Sequence, residues 1–150
     1  MITWRCAHFG QLTAREFHDI LQARAAVFVV EQNCAFQDVD GADPVSEHLV
    51  GREDGAIVAY CRLVPPGVKY PEPSIGRVIT ARAARGIGAG RALMAKAIER
   101  AETLWPGHCM KIGAQQYLAR FYGDFGFVQS SEPYDEDGIQ HIEMIREPKR

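Results

Sequence analysis

Arg85-Gly86-Ile87-Gly88-Ala89-Gly90-Arg91 is the most informative stretch of the chain. It follows a strand-like stretch, Ser74-Ile-Gly-Arg-Val-Ile-Thr80. It also opens a segment, 86–104, in which Leu93, Met94, Ala97, Ile98, Ala101 and Trp105 share one helical face until Pro106-Gly107 stops it. Alternating glycines leave the backbone bare where it turns into that helix, and the first amides of a helix have no partner within it. Those N–H groups, the positive end of the helix dipole and the charges of Arg85 and Arg91 suit a pyrophosphate or a similar anion. The dinucleotide fingerprint G-x-G-x-x-G fails, because Gly86 and Gly88 are followed by Arg91 at the third position, and the register from Gly88 and Gly90 meets Leu93. No G-K-[ST] follows, so the motif is not a P-loop. What stands is R-x-x-G-x-G between a strand and a helix.

Around this centre the chain reads as mixed strands and helices. Residues 2–9 alternate as a first strand, and Thr13 with Glu16 forms a capping box ahead of a helix carrying Phe17, Ile20, Leu21, Ala25 and Phe28 on one face. Val27-Phe28-Val29-Val30 ends that helix or stands as a short extended piece. Residues 33–46 form a loop of ~14 residues, longer than a plain connection needs. Its Asp38, Asp40 and Asp43 read as solvated charge, with attraction of a cationic amine as the alternative. Strands at 47–52 and 56–64 flank Asp54-Gly55, a strong hairpin signal. Beyond the central helix come a strand at 109–114, a short helix over 117–124, and closing strands at 127–130 and 139–145. This order indicates one α/β domain over residues 1–150.

Composition narrows the class. The chain has 150 residues, with 17 Lys+Arg against 19 Asp+Glu and a net charge of −2, which argues against nucleic acid or anionic membrane as the partner. No apolar run reaches the ~18 residues of a spanning helix, and the first residues lack the pattern of a secretory signal. Four scattered cysteines without C-x-x-C fit reduced thiols in a cytoplasmic protein, and five histidines with no close pair give no metal signature.

The R-x-x-G-x-G motif resembles that of the GNAT family of N-acetyltransferases, where it holds the pyrophosphate of acetyl-coenzyme A (acetyl-CoA). Downstream, Phe121-Tyr122-Gly123-Asp124-Phe125-Gly126-Phe127 is similar to the family's second signature, Phe-Tyr-x-x-x-Gly-Phe. More narrowly, Arg24-Ala-Ala-Val-Phe-Val-Val-Glu-Gln32, with Asp40-Gly41-Ala42-Asp43 and His48-Leu49, resembles the ElaA-like branch. The similarity spans nearly the whole chain.

The resemblance implies an acyl-CoA N-acyltransferase fold: a mixed, mostly antiparallel sheet that splays centrally to admit the cofactor, flanked by helices. It implies transfer of acetyl from acetyl-CoA to a primary amine by direct attack, without a metal. Backbone groups of Val78, Ile79 and Thr80 would hold the pantetheine arm and acetyl carbonyl. Arg85, Gly86, Ile87, Gly88, Ala89, Gly90 and Arg91 would bind the pyrophosphate. Tyr122 would protonate the departing thiolate, a role open to a phenol within reach of the sulfur. The acceptor would be a small-molecule amine or an exposed amino group, and a homodimer is compatible with this reading.

The chain departs from the family where a strand glutamate often serves as base: Arg77 stands there, and Thr80-Ala81-Arg82 replaces the usual Val-x-Pro. Deprotonation of the amine is therefore assigned to His48, Glu47 or Glu31, with His141 on a closing strand as a further candidate. Two rivals remain: an acyl-CoA-binding sensor without catalysis, and an acyl-homoserine-lactone-synthase-like acyltransferase, whose chains are much longer.

Overall fold

The computed structural model describes residues 1–149. Local chemistry sets most element ends. After strand β1 (Thr3–His8), Thr13 and Glu16 each bond the other's backbone N–H at 3.0 Å, and helix α1 runs from Ala14 to Arg24. The β-branched residues beyond it are neither extended nor α-helical. Ala25–Glu31 winds in wide turns, with Gln32 N–H on Val27 O and Cys34 N–H on Val29 O, both at 3.1 Å. Crowding of Val27, Val29 and Val30 against a preceding α-turn is a physical reason for that widening.

Strands β2 (Glu47–Glu53) and β3 (Ala56–Val64) join through Asp54 and Gly55 at φ +51° and +81°, the left-handed pair a two-residue hairpin demands. Strand β4 (Ser74–Thr80) completes a sheet in the order β1-β2-β3-β4, antiparallel throughout. Helix α2 spans Ala89–Leu104 and starts three residues later than the glycine pattern suggested, because Gly86 and Gly88 hold φ of +87° and +84°. Then follow β5 (Met110–Gln115), the short helix α3 (Ala119–Gly123), β6 (Val128–Gln129), β7 (Tyr134–Glu136) and β8 (Ile139–Arg146). Strand β7 was not foreseen, although Asp137-Gly138 repeats the turn chemistry of Asp54-Gly55, at φ +52° and +83°. In the second sheet β8 pairs with β5, β6 and β7, again antiparallel.

Helix α2 ties the two sheets together. Its Leu93, Met94, Ala97 and Ala101 pack against Leu49, Cys61, Leu63 and Ile75 of the first sheet and Met110, Ile112, Ile142 and Met144 of the second. The other face of the first sheet buries Val50, Tyr60 and Ile79 against Ile20 and Phe17 of α1. Burying this sheet on both faces keeps β3 inaccessible from Ala59 to Val64. Among the described residues no helix is long and apolar enough to cross a membrane.

Candidate active site

Ile75 and Ile79 have the same strand parity but pack on opposite faces of the first sheet. The cause is a bulge: Arg62 pairs with Gly76 and Tyr60 with Ile79, so β4 carries one residue more than β3 over this span. Arg77 takes up the extra length at φ +51°, an unusual conformation for a non-glycine residue. Its guanidinium is anchored by Asp38 at 2.8 Å and Asp40 at 3.3 Å and lies over the Phe36 ring.

Beside the bulge the two sheets part. At the base, Lys111 N–H donates to Pro73 O at 3.0 Å; further along, β4 and β5 are not paired, and a cleft of about 750 Å³ opens between them. Val78, Ile79 and Thr80 line one wall and Ile112 to Gln115 the other, while Gly90 of α2 and Phe121 and Tyr122 of α3 also border the space. The amides of Ala89, Gly90 and Arg91 precede the first bond of α2, Ala92 N–H to Gly88 O, and Gly88 provides no side-chain cap. At Gly86 and Gly88 a Cβ would meet no atom within 4 Å, so positive φ, not crowding, is what requires glycine there.

The arginines around this loop are engaged within the protein. Arg85 makes a two-pronged contact with Glu31, at 2.9 and 2.7 Å, and Arg82 reaches the same carboxylate at 3.1 Å. Arg91 pairs with Asp124 at 2.9 Å. Glu31 is thus a clamp between the wide turn after α1 and the glycine loop, and its hydrogen bond from Arg85 lowers its carboxyl pKa.

Tyr122 is 7% exposed and stands edge-on to Phe121 and Phe127. Burial holds its phenol well above the ordinary value, keeping it neutral at physiological pH.

All three expected base candidates lie away from the cleft lining, Glu31 because Arg82 and Arg85 hold its carboxylate. Glu47 accepts from Arg100 at 2.9 and 3.1 Å and from the Cys6 thiol at 3.3 Å. His48 is fully buried on the α1 face, with one ring nitrogen 2.7 Å from the Tyr60 hydroxyl and the other 3.0 Å from Asp43 O. Burial pushes its pKa down, and both nitrogens are occupied, as in a satisfied structural histidine. His141 does line the cleft.

The acidic loop is not a solvated one. Asp38 and Asp43 are buried, because Arg24 bonds Asp38 at 3.0 Å and Asp43 at 2.7 Å, while Arg62 bonds Asp40 at 2.7 Å and Asp43 at 3.0 Å. With Arg77 these groups form an alternating ionic cluster that pins the loop to the α1 face. Burial would raise the Asp43 carboxyl, but Arg24 and Arg62 outweigh it and hold it below its ordinary value. The guanidinium partners are scattered over α1, β3 and β4, which hid them from a reading of local charge.

Comparison with known proteins shows the family and the fold. Residues 13–148 match the family model of the acetyltransferase (GNAT) domain. A UPF0039 protein of Synechocystis sp. is 46% identical over 145 residues, covering 96% of this chain and 94% of that protein. ElaA of Escherichia coli is 42% identical, and its crystal structure superposes with a TM-score of 0.93 over 98% of this chain and 100% of that one. The crystal structure of an acyl-CoA N-acyltransferase from Pseudomonas aeruginosa also reaches a TM-score of 0.93, at 43% identity over 97% of this chain and 99% of that one.

Proposed function

The chain belongs to the GNAT acetyltransferase family, and we propose that it transfers an acetyl group from acetyl-CoA to a primary amine by direct attack. The observation that carries this reading is one continuous cleft that joins a bulged strand edge, the uncapped start of α2 and a buried tyrosine. On this reading, the unpaired backbone edge at Val78, Ile79 and Thr80 receives the pantetheine amides as an added half-strand. Free amides of the Gly86–Arg91 segment meet the pyrophosphate. Arg85 stays with Glu31, so its contribution is to shape the loop and lend positive potential. The amine nitrogen attacks the thioester carbonyl, the C–S bond breaks as the tetrahedral intermediate collapses, and Tyr122 donates a proton to the departing thiolate.

Support for acyl-CoA use comes from the Pseudomonas acyl-CoA N-acyltransferase, with which this chain shares both sequence and fold. The test has two parts: calorimetric titration with acetyl-CoA, and release of coenzyme A thiol with a panel of alkyl- and arylamines. Saturable binding with amine-dependent release is expected. Binding without release for any amine would leave an acyl-CoA sensor, and turnover of alcohols or thiols alone would refute the amine acceptor.

A further inference from the structure

We propose that the acceptor's ammonium group docks on the Glu136–His141 pair and that His141 Nε2 removes the proton the amine must lose. This rests on the amine-acetylation reading above and names the base within it.

His141 lies on β8 opposite Gln115 of β5 and Tyr134 of β7. It is 8% exposed, and both His141 and Glu136 line the cleft that Tyr122 borders. Its Nδ1 is 2.8 Å from Ile139 O. A carbonyl can only accept, so Nδ1 carries the hydrogen, and in the neutral ring the lone pair sits on Nε2. That nitrogen is 3.2 Å from Oε2 of Glu136, which is also an acceptor. In the imidazolium the ring's own second N–H bridges the two atoms; in the neutral, base-competent ring both are acceptors and the donor has to come from outside. An alkylammonium supplies three N–H groups and can satisfy both atoms at once.

Surrounding groups leave the pair available. Tyr134 stacks on the imidazole with ring centroids 6.0 Å apart, and burial raises the phenol pKa of Tyr134 and that of Tyr70, the latter to about 12, so both remain neutral. Glu143, two residues along β8, is paired with Lys111 at 3.0 Å. Asp137 borders the cleft at the β7–β8 turn and adds negative charge on the same side. Asp40, another acid of the lining, is held by Arg62, Lys69 and Arg77.

The protons balance. One passes from R–NH3⁺ to Nε2, leaving an imidazolium beside the Glu136 carboxylate and a free lone pair on the amine. That lone pair forms the N–C bond, the C–S bond breaks, and the thiolate takes its proton from Tyr122. The second proton lost by nitrogen restores the phenol, and the imidazolium returns its own to solvent, a net release of one.

An alkylamine is a cation at pH 7, whereas an arylamine is neutral and needs neither docking charge nor deprotonation before attack. Thiol release with both classes is compared in the parent, His141→Gln and Glu136→Gln, with acetyl-CoA affinity and thermal melting as controls. His141→Gln is expected to lower alkylamine kcat by ~10²–10⁴-fold. Glu136→Gln is expected to raise alkylamine KM by ~10–100-fold. Arylamine turnover should change by less than about threefold in either variant. Equal losses on both amine classes, or no loss, overturn the assignment while leaving the acetylation reading intact. If the parent accepts no arylamine, the kcat loss in His141→Gln and the KM rise in Glu136→Gln decide, and the opposite split overturns it. A parent that binds acetyl-CoA but turns over no amine refutes the acetylation reading and this assignment with it.

Discussion

Gly88→Asp should remove tight acetyl-CoA binding without unfolding the protein. Gly88 sits at φ +84° just ahead of α2, in open space, so the structural cost of a side chain is conformational. A non-glycine residue in the left-handed region costs roughly 1–2 kcal/mol. An aspartate at the start of a helix returns part of that through the helix dipole, worth about 0.3–1 kcal/mol. The melting temperature should therefore move by only a few degrees. The ligand is affected more strongly. Like charges about 4 Å apart cost ~1 kcal/mol in bulk water and ~4 kcal/mol at an effective dielectric near 20. Each amide hydrogen bond that the repelled phosphate gives up forfeits roughly 1.5–3 kcal/mol. Even the low ends add to about 2.5 kcal/mol, a rise in Kd of ~50-fold or more. Calorimetry with acetyl-CoA measures this, and Gly88→Asn, with the same shape but no charge, should fall between the two. Affinity within threefold of the parent in Gly88→Asp, with an unchanged melt, would refute a pyrophosphate site at the start of α2.

Other perturbations test separate parts. Tyr122→Phe keeps the ring packing against Phe121 and Phe127 but removes the proton, so kcat should fall ~10²–10⁴-fold while acetyl-CoA affinity holds; unchanged kcat would reduce Tyr122 to a core aromatic. Asp43→Asn leaves Arg24 and Arg62 each short of a buried anion, a loss of about 3–5 kcal/mol seen as a melting temperature lower by roughly 10 °C. Because the folded Asp43 carboxyl is held below its ordinary value, its contribution is present above about pH 4 and fades as pH falls through the folded value; the variant's melting temperature should lose that part of the acid dependence. Burial and the Glu47 carboxylate push the Cys6 thiol up to about 12, and Cys61 is fully buried, so mass spectrometry after iodoacetamide treatment at pH 8 should find neither labelled in the native protein. Fast labelling of Cys61 would show that the core opens readily, and fast labelling of Cys6 that Glu47 does not hold its thiol protonated.

What could be read from the sequence was what local chemistry decides. The Thr13–Glu16 box, the Asp54-Gly55 hairpin and the glycine loop ahead of α2 each depend on a few adjacent residues, and each stands where it was expected. The histidines show where that stops. His48 and His141 both sit on strands, and alternation says which residues share a face without saying what that face meets. The structure buries His48 beneath α1 and turns His141 to the cleft. The Arg77 bulge left no trace either, since an arginine among β-branched residues reads as ordinary strand, and its left-handed backbone is held by carboxylates nearly forty residues earlier in the chain. Asp38, Asp40 and Asp43 looked solvated because their partners are distant in sequence.

The parting of β4 from β5 creates two strand edges in the interior of the domain. Here backbone groups of both strands border one cleft, joined near its base by Lys111 N–H to Pro73 O. An unpaired edge is a template for any extended chain that can offer amides in register. The protein therefore carries an adhesive seam of the kind that aggregating proteins expose at their rims, sunk in the cleft between the two sheets. A slender amide-bearing tail can reach it, and an occupied seam is a closed one. Ligand should accordingly slow hydrogen exchange first at the amides bordering the seam, and should protect the protein from aggregation by more than its effect on the melting temperature accounts for.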